Sequence, residues 1–238
     1  MDKTFPKVLN FREGKTKHIT MKQNNKPYFK LFFAITVLFS TNLLGQTPIK
    51  STKLDVNKLP YFIKVDGKAQ NAVRWTDNLG DNIVVTSETG RYTPKKAKEN
   101  EIEEANADLF AYHYIITNNQ AQQTWKVYDF IKDCPLDIEA NYVKNTFQVT
   151  DLDKNGVAEV WLMYRTVCHG DVSPSDMKII MYQGQQKYAM RGRAKIKYGE
   201  KEFEGGEYKL DPAFNKAPKV IIDFAKKLWN KNILQTFE

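Results

Sequence analysis

The sequence predicts a mostly β protein, an antiparallel β-sandwich or twisted meander of two related halves, followed by one C-terminal α-helix. Short runs rich in Tyr, Phe, Trp, Val and Ile recur along the chain, and turn residues such as Gly and Asn separate them. Apolar residues at helical spacing occur near the C-terminus. With 238 residues, the chain is long enough for a leader and one domain with a sizeable core.

A basic segment followed by an apolar one predicts a secretory signal peptide. Three lysines, at residues 22, 26 and 30, precede the apolar run 31–44, and Gly45 follows that run. That run is shorter than the roughly 20 apolar residues that span a bilayer. We therefore expect cleavage after Gly45, which leaves residues 1–45 as N-terminal extension and signal peptide. Residues 46–238 then form one exported domain without a transmembrane span. An uncleaved anchor is the alternative, and the start codon is either Met1 or Met21.

The charge distribution excludes one class of partner. Eight of the 36 Lys and Arg residues, but only two of the 28 Asp and Glu residues, lie in residues 1–45. The formal net charge of +8 therefore falls to +2 in the exported domain. A nucleic-acid-binding domain needs a basic stripe on its folded surface, so we expect no nucleic-acid partner.

The strands follow in chain order. Asp66-Gly67 is a hairpin signal, and we predict strands on either side of it. The predicted strands are 61–65, 72–75, 83–86, 109–116, 125–130, 146–149, 160–166, 177–182 and 187–191. The charged segment 94–107 is predicted to be a solvated loop or short helix. Apolar residues repeat at helical spacing over 220–229, and Asn215 and Pro218 are entry signals for that helix.

A weak internal repeat relates two parts of the chain. Residues 75–85 are similar to residues 149–161, because each is a polar loop entered by Thr-Asp and followed by an apolar strand. Two copies cannot close a propeller, so a pair of packed antiparallel sheets is the expected arrangement.

Within the second copy, oxygen-bearing residues alternate as in a calcium loop. The candidate ligands are the side chains of Asp151, Asp153, Asn155 and Glu159 and the carbonyl of Val157. A hard cation such as Ca²⁺ takes six to eight oxygen ligands, which a tight loop of this kind supplies. Gly156 would adopt backbone angles that other residues avoid. The alternative is a plain hairpin with a type I′ bend at Asn155-Gly156.

The loop departs from an EF-hand, because the position of the bidentate Glu is Leu162 and strands flank the loop. The pattern strand–DxDxNGxxE–strand resembles the calcium loops of FG-GAP and VCBS-type β-repeats, which implies Ca²⁺ as the bound ion. The first copy, residues 75–85, lacks the alternating ligands and would bind no metal.

Two cysteines, Cys134 and Cys168, lie in the exported domain. In an oxidising compartment an isolated pair most simply forms one disulfide, and two buried free thiols are the alternative. Because the two residues bracket the loop 151–159 in sequence, we expect the bridge to hold both of its flanks.

Catalytic motifs are not evident in the sequence. Cys168 and His169 are adjacent, and neighbouring residues of a strand point to opposite faces, so they would not form a nucleophile–base pair. We find no Gly-rich phosphate loop, nucleophile elbow or zincin helix. The sequence therefore favours a protein that is not an enzyme, without deciding the matter.

Most of the exported domain also resembles a family of exported bacterial envelope proteins. The resemblance rests on residues 78–86, 125–130, 149–153, 170–174, 177–182 and 187–192. Members are labelled surface polysaccharide biosynthesis proteins, which implies a role in making or displaying envelope glycans such as lipopolysaccharide or capsule. That label implies no catalytic residue.

These observations predict a non-catalytic, calcium-binding envelope protein in the periplasm or on the outer cell surface. Its expected partner is an envelope glycan or another envelope protein, and the sequence does not indicate an oligomeric state. A glycan-modifying enzyme is one alternative, which a cleft lined by acids and exposed tryptophans would favour. A periplasmic inhibitor or binding module is another, which a flat aromatic patch would favour.

Overall fold

The computed structural model describes residues 48–94 and 104–236 of the chain. The predicted leader and residues 95–103 of the charged segment lie outside this range. The last part of that segment, residues 105–107, begins a buried strand. None of the helices in the described chain combines the length and the apolarity needed to cross a membrane.

The described residues form thirteen strands and two helices. The strands are β1 (Ser51–Lys53), β2 (Lys68–Asp77), β3 (Gly80–Glu88), β4 (Ala105–Thr117), β5 (Gln120–Cys134), β6 (Ile138–Tyr142), β7 (Gln148–Thr150), β8 (Glu159–Cys168), β9 (Asp176–Gln183), β10 (Gln186–Arg193), β11 (Lys195–Lys197), β12 (Phe203–Gly205) and β13 (Tyr208–Leu210). The helices are α1 (Pro212–Asn215) and α2 (Lys219–Asn232).

Two antiparallel sheets confirm the predicted fold class. The first sheet has the order β1-β2-β3-β4-β5, and the second has the order β13-β10-β9-β8-β6, with β7 also paired to β8. Strands β11 and β12 form a separate small hairpin. Four consecutive strands form a meander in each large sheet, β2 to β5 in one and β7 to β10 in the other. The two predicted halves are therefore visible in the topology.

The core has three layers of buried apolar side chains. The two sheets pack face to face, and the side chains between them include Trp75, Val84, Trp125, Leu162 and Tyr182. The other face of the second sheet packs on α2, whose apolar stripe is thereby buried as predicted. That layer includes Trp161, Met163, Met177, Phe214 and Trp229.

The third layer corrects the prediction of a strand at 61–65. Residues 54–65 form an irregular segment that covers the outer face of the first sheet with Leu54, Val56, Leu59, Phe62, Ile63 and Val65. Beyond Leu54, whose N–H donates to the carbonyl of Ala72 in β2 at 2.9 Å, side chains of the sheet bond the backbone at Lys64 and Asp66. The hydroxyl of Tyr114 donates to the carbonyl of Lys64, and that of Ser87 donates to the carbonyl of Asp66. The apolar pattern therefore reflects packing on a sheet and not strand pairing.

The C-terminal helix begins as the proline signal predicts. Pro218 is the N-cap of α2, whereas Asn215 ends the short helix α1, which was not predicted. Helix α1 is capped by Asp211, whose carboxylate accepts from the backbone N–H of Phe214 at 2.7 Å.

The predicted disulfide is confirmed, but its place differs from the expectation. Cys134 and Cys168 are bonded, with Cα atoms 5.8 Å apart. Because Cys134 ends β5 and Cys168 ends β8, the bridge joins the two sheets. The loop 151–158 precedes β8, whose ten residues span roughly 30 Å at the usual rise per residue. The disulfide therefore lies at the far end of β8 and does not hold the loop.

Candidate metal site

The loop between β7 and β8 is not an Asn-Gly hairpin. Thr150 pairs with Glu159, so eight residues, 151–158, separate the paired positions. A type I′ turn has two central residues, both with positive φ. Here the residues with positive φ are Lys154 (56°) and Gly156 (79°), and not Asn155. The alternative of a plain type I′ bend is therefore wrong, and the expectation for Gly156 is confirmed.

The loop brings three predicted carboxylates together. Asp151, Asp153 and Glu159 each offer an oxygen, and these oxygens lie within 4.8 Å of one another. They come from both ends of the loop, because Asp151 directly follows β7 and Glu159 is the first residue of β8.

A side chain from β9, Gln183, lies against two of these carboxylates, those of Asp153 and Glu159. Nε2 of Gln183 lies 3.2 and 3.1 Å from the two carboxylate oxygens of Asp153. The same nitrogen lies 3.4 Å from the carbonyl oxygen of Val157 and 3.4 Å from Oε1 of Glu159. One electropositive N–H₂ group thus sits among four oxygens, which is the surrounding that a hard cation takes.

Asn155, the remaining predicted ligand, shapes the loop in this structure. Its Oδ1 accepts from the backbone N–H of Val157 at 2.8 Å, and its Nδ2 donates to Asp153 at 3.0 Å. These bonds are the local turn bonds that Asn side chains commonly make. They hold the Val157 carbonyl and the Asp153 carboxylate in place.

Glu159 is a fully buried acid, with a relative exposure of 0%. Its carboxylate accepts from the Thr150 hydroxyl at 2.7 Å and from the Leu152 N–H at 2.9 Å. Burial raises the pKa of Glu159, the two hydrogen bonds oppose that shift, and the nearby charge of Asp153 adds to it. A buried carboxylate of this kind is stabilised by a neighbouring positive charge.

Asp151 has an unused ligand atom in the same cluster. Its Oδ1 is buried and has no hydrogen-bond partner among the described residues. Unsatisfied buried oxygens are uncommon in folded proteins, and a bound cation would satisfy this one. The donor set of carboxylates and a carbonyl therefore fits a hard cation such as Ca²⁺.

The first half of the chain supports this loop directly. Asn78, in the β2–β3 turn, donates from its backbone N–H to the Gly156 carbonyl at 2.9 Å and from Nδ2 to the Asn155 carbonyl at 3.1 Å. The carboxylate of Asp77 accepts from the N–H of Ala158 at 3.0 Å. Neither these contacts nor the place of Gln183 was predicted from the sequence. The register that pairs Glu159 with Gln183 identifies the latter.

A second polar cluster lies beneath the β2–β3 turn. The buried His113 ring contacts Oδ1 of Asn82 at 3.0 Å through Nε2, and it stacks between Trp75 and Trp125. Burial lowers the pKa of His113 to about 4. The cavity beside it has a volume of about 10 Å³, which is room for one water at most. This histidine therefore stabilises the core and has no space for a substrate.

Comparisons of the chain with protein-family models, with curated proteins and with solved structures find no match.

Proposed function

We propose that this chain is an exported cell-envelope protein that binds one calcium ion through loop 151–159 and is not an enzyme. Its role would lie in the biosynthesis or display of a surface polysaccharide, with an envelope glycan or another envelope protein as partner. The observation that carries the calcium proposal is the convergence of four oxygens on Nε2 of Gln183.

The Gln183 amide occupies the place that a cation would take. For a cation to enter, the Gln183 side chain would have to move aside, and its Oε1 would then turn to the ion as a further oxygen ligand. The ligands would then be Asp151, Asp153, Val157, Glu159 and Gln183, with water and Asn155 completing the shell. Calcium would also offset the repulsion between carboxylates that lie this close together.

The disulfide supports export. Bonds of this kind persist in oxidising compartments and are rare in the cytosol. Cys134 and Cys168 join the two sheets, so the bond would stabilise the folded state. The periplasm or the outer cell surface is the compartment that we propose.

The tryptophans argue against the glycan-modifying enzyme. All four are buried, with exposures of 7% or less, so none lines an open cleft. Exposed aromatic side chains occur instead on β5, where Tyr128 is 49% and Phe130 is 48% exposed. This second observation favours a binding module as the other candidate function.

Thermal unfolding with and without calcium tests the metal site. Ligand that binds only the folded state stabilises it by RT ln(1 + [L]/Kd), about 2.7 kcal/mol at a hundredfold excess over Kd. We expect calcium to raise the melting temperature and chelator to lower it. Magnesium should do less, because it demands tighter octahedral geometry.

Two variants make the test specific. Asp153→Ala should abolish the calcium response, whereas Asp137→Ala, at an exposed acid outside the loop, should keep it. A wild-type melting curve that calcium does not change would refute the calcium site.

The envelope role has separate tests. Mass spectrometry of protein from the native envelope should find an N-terminus within a few residues of Gln46, and intact Met1 or Met21 termini would contradict export. Glycosyltransferase genes beside this gene would support the polysaccharide role, and their absence would shift the choice to the binding module.

A further inference from the structure

A long groove lies on one open side of the sandwich, and its wall includes β7, the strand that precedes loop 151–159. One wall is the edge of the first sheet, β1 and β2, and the other is the segment from the end of β6 to β7, residues 141–149. Two adjoining cavities of about 660 and 440 Å³ make up the groove. They share Gln70, Asn71, Asn145 and Phe147.

Side-chain carboxamides dominate the polar lining of this groove, which we call the amide groove. Five residues supply them: Gln70, Asn71, Asn141, Asn145 and Gln148. Each carboxamide offers two donors and one acceptor oxygen at a single position. The charged lining residues balance, with Lys53 and Lys144 against Asp55 and Glu88. The groove therefore matches a ligand that is uncharged and rich in groups that both donate and accept.

Two local distortions of the backbone lie at this lining. The register of β2 against β3 skips Gln70, which is the extra residue of a β-bulge. Asn145 has a φ of 62°, in the left-handed region that favours glycine. Bulges and left-handed non-glycine residues are concentrated where a protein directs side chains to a site.

The amides at these positions are available to a ligand. Gln70 and Asn145 make no side-chain hydrogen bond within the described chain. Asn71 donates through Nδ2 to the Thr86 hydroxyl at 3.0 Å, which leaves its Oδ1 for another donor. Phe147 is half-buried in the same wall and offers an apolar surface between the amides.

We propose that the amide groove binds a neutral oligosaccharide. Vicinal ring hydroxyls are alternating donors and acceptors, which carboxamides match, and the C–H face of a sugar ring can pack on Phe147. The larger cavity lies in the size range of ligand pockets. An extended peptide would instead bond to the backbone of the edge strand in this wall, with its side chains in pockets at alternate positions. The five carboxamides of the lining favour the oligosaccharide. The inference rests on the proposed envelope role, but it makes no use of loop 151–159.

The test measures binding of the full exported protein to defined probes. An array of neutral and acidic glycans comes first, and titration calorimetry with neutral hexasaccharides and with an acidic hexasaccharide follows. Gln70→Ala and Asn145→Gly should each raise the dissociation constant of the neutral ligand by roughly tenfold or more. Asn118→Gly is the matched control, since Asn118 is also left-handed (φ 52°) but lies in the β4–β5 turn. It should bind as the wild type does.

The calcium variant separates the two proposals. Asp153→Ala should lose the calcium response and still bind the glycan. Failure of any neutral glycan to bind, binding of acidic glycans or extended peptides instead, or binding that the two groove variants leave unchanged would each overturn the inference. Circular dichroism of each variant verifies that a loss of binding is not a loss of fold.

Discussion

The β2–β3 turn and the β7–β8 loop occupy corresponding places in the two meanders, and they differ in length and in task. In the first, Asp77 pairs with Gly80, so only Asn78 and Leu79 form the turn. In the second, eight residues separate the paired strands and carry the clustered carboxylates. The short turn uses Asp77 and Asn78 to bond the backbone of the long loop. One half of the chain thus provides the candidate metal site and the other half its support.

The two connections also differ in how their acids are bonded. The short turn also has an acid after its threonine, Asp77. The carboxylate of Asp77 accepts hydrogen bonds from the Leu79 N–H, the Trp75 indole, the Asn82 amide and the Ala158 N–H. Its oxygens are therefore satisfied by protein donors, whereas Oδ1 of Asp151 has no partner in the part of the chain that the structure describes.

The largest effect is expected at the far end of β8. Replacing both cysteines, Cys134→Ala with Cys168→Ala, should lower the free energy of unfolding by about 3–4 kcal/mol, since the bond closes a loop of 34 residues. Denaturant titration measures this. The calcium-dependent rise in melting temperature should remain, because the turn and not the disulfide supports the loop. If calcium no longer raises the melting temperature of this variant, the disulfide does support the loop and the prediction is wrong.

The next largest effect is a pH dependence of stability, which arises from the buried His113 beneath the β2–β3 turn. The pKa of His113 is about 4 when folded and about 6.5 when unfolded, so the unfolded chain takes up the proton first as the pH falls. The contribution of neutral His113 to the free energy of unfolding should therefore be fully present above pH 6.5. It should fall by about 3 kcal/mol between pH 6.5 and 4. His113→Gln should remove this part of the slope in denaturant titrations across that range. If the variant has the same pH dependence of the free energy of unfolding as the wild type, burial does not disfavour the protonated form of His113.

A third prediction concerns the contact between turn and loop. Gly156 has a φ of 79°, and a Cβ there would lie 2.2 Å from Nδ2 of Asn78. Gly156→Ala should cost about 2–3 kcal/mol, from left-handed strain and loss of the Asn78 side-chain bond. Gly90→Ala is the control, because Gly90 has a φ of 67° but open space around it. Gly90→Ala should lower the free energy of unfolding only by the left-handed backbone strain, about 1–2 kcal/mol.

The smallest effect is expected for Asn78→Ala, which removes one side-chain hydrogen bond to the loop and keeps the backbone bond. The expected cost is about 1 kcal/mol. In a double-mutant cycle, Gly156→Ala should cost less in the Asn78→Ala background, because the clash is gone. Additive costs would mean that the turn does not touch the loop in solution.

Much of the fold could be predicted, because its signals are local. The alternating aromatic and β-branched runs predicted the strands that became β3, β4, β5 and β8 to β10, and helical spacing predicted α2. Cys134 and Cys168 could be paired because no other cysteine exists. The clustering of Asp151, Asp153 and Glu159 could be predicted as well, since the three acids lie close together along the chain.

Tertiary structure decided which groups meet across the chain. Residues 61–65 have a strand-like composition, yet the sheet that they cover bonds their backbone through a side chain, the hydroxyl of Tyr114, which donates to the carbonyl of Lys64. Gln183 faces the carboxylates only because the β8–β9 register pairs it with Glu159, and Asn78 reaches Gly156 only because the two sheets pack together. Apolar periodicity determines which face of a segment is buried, but register and sheet packing determine its partners. For that reason the sequence alone predicted the carboxylates of the candidate site, and only the folded chain revealed what lies against them.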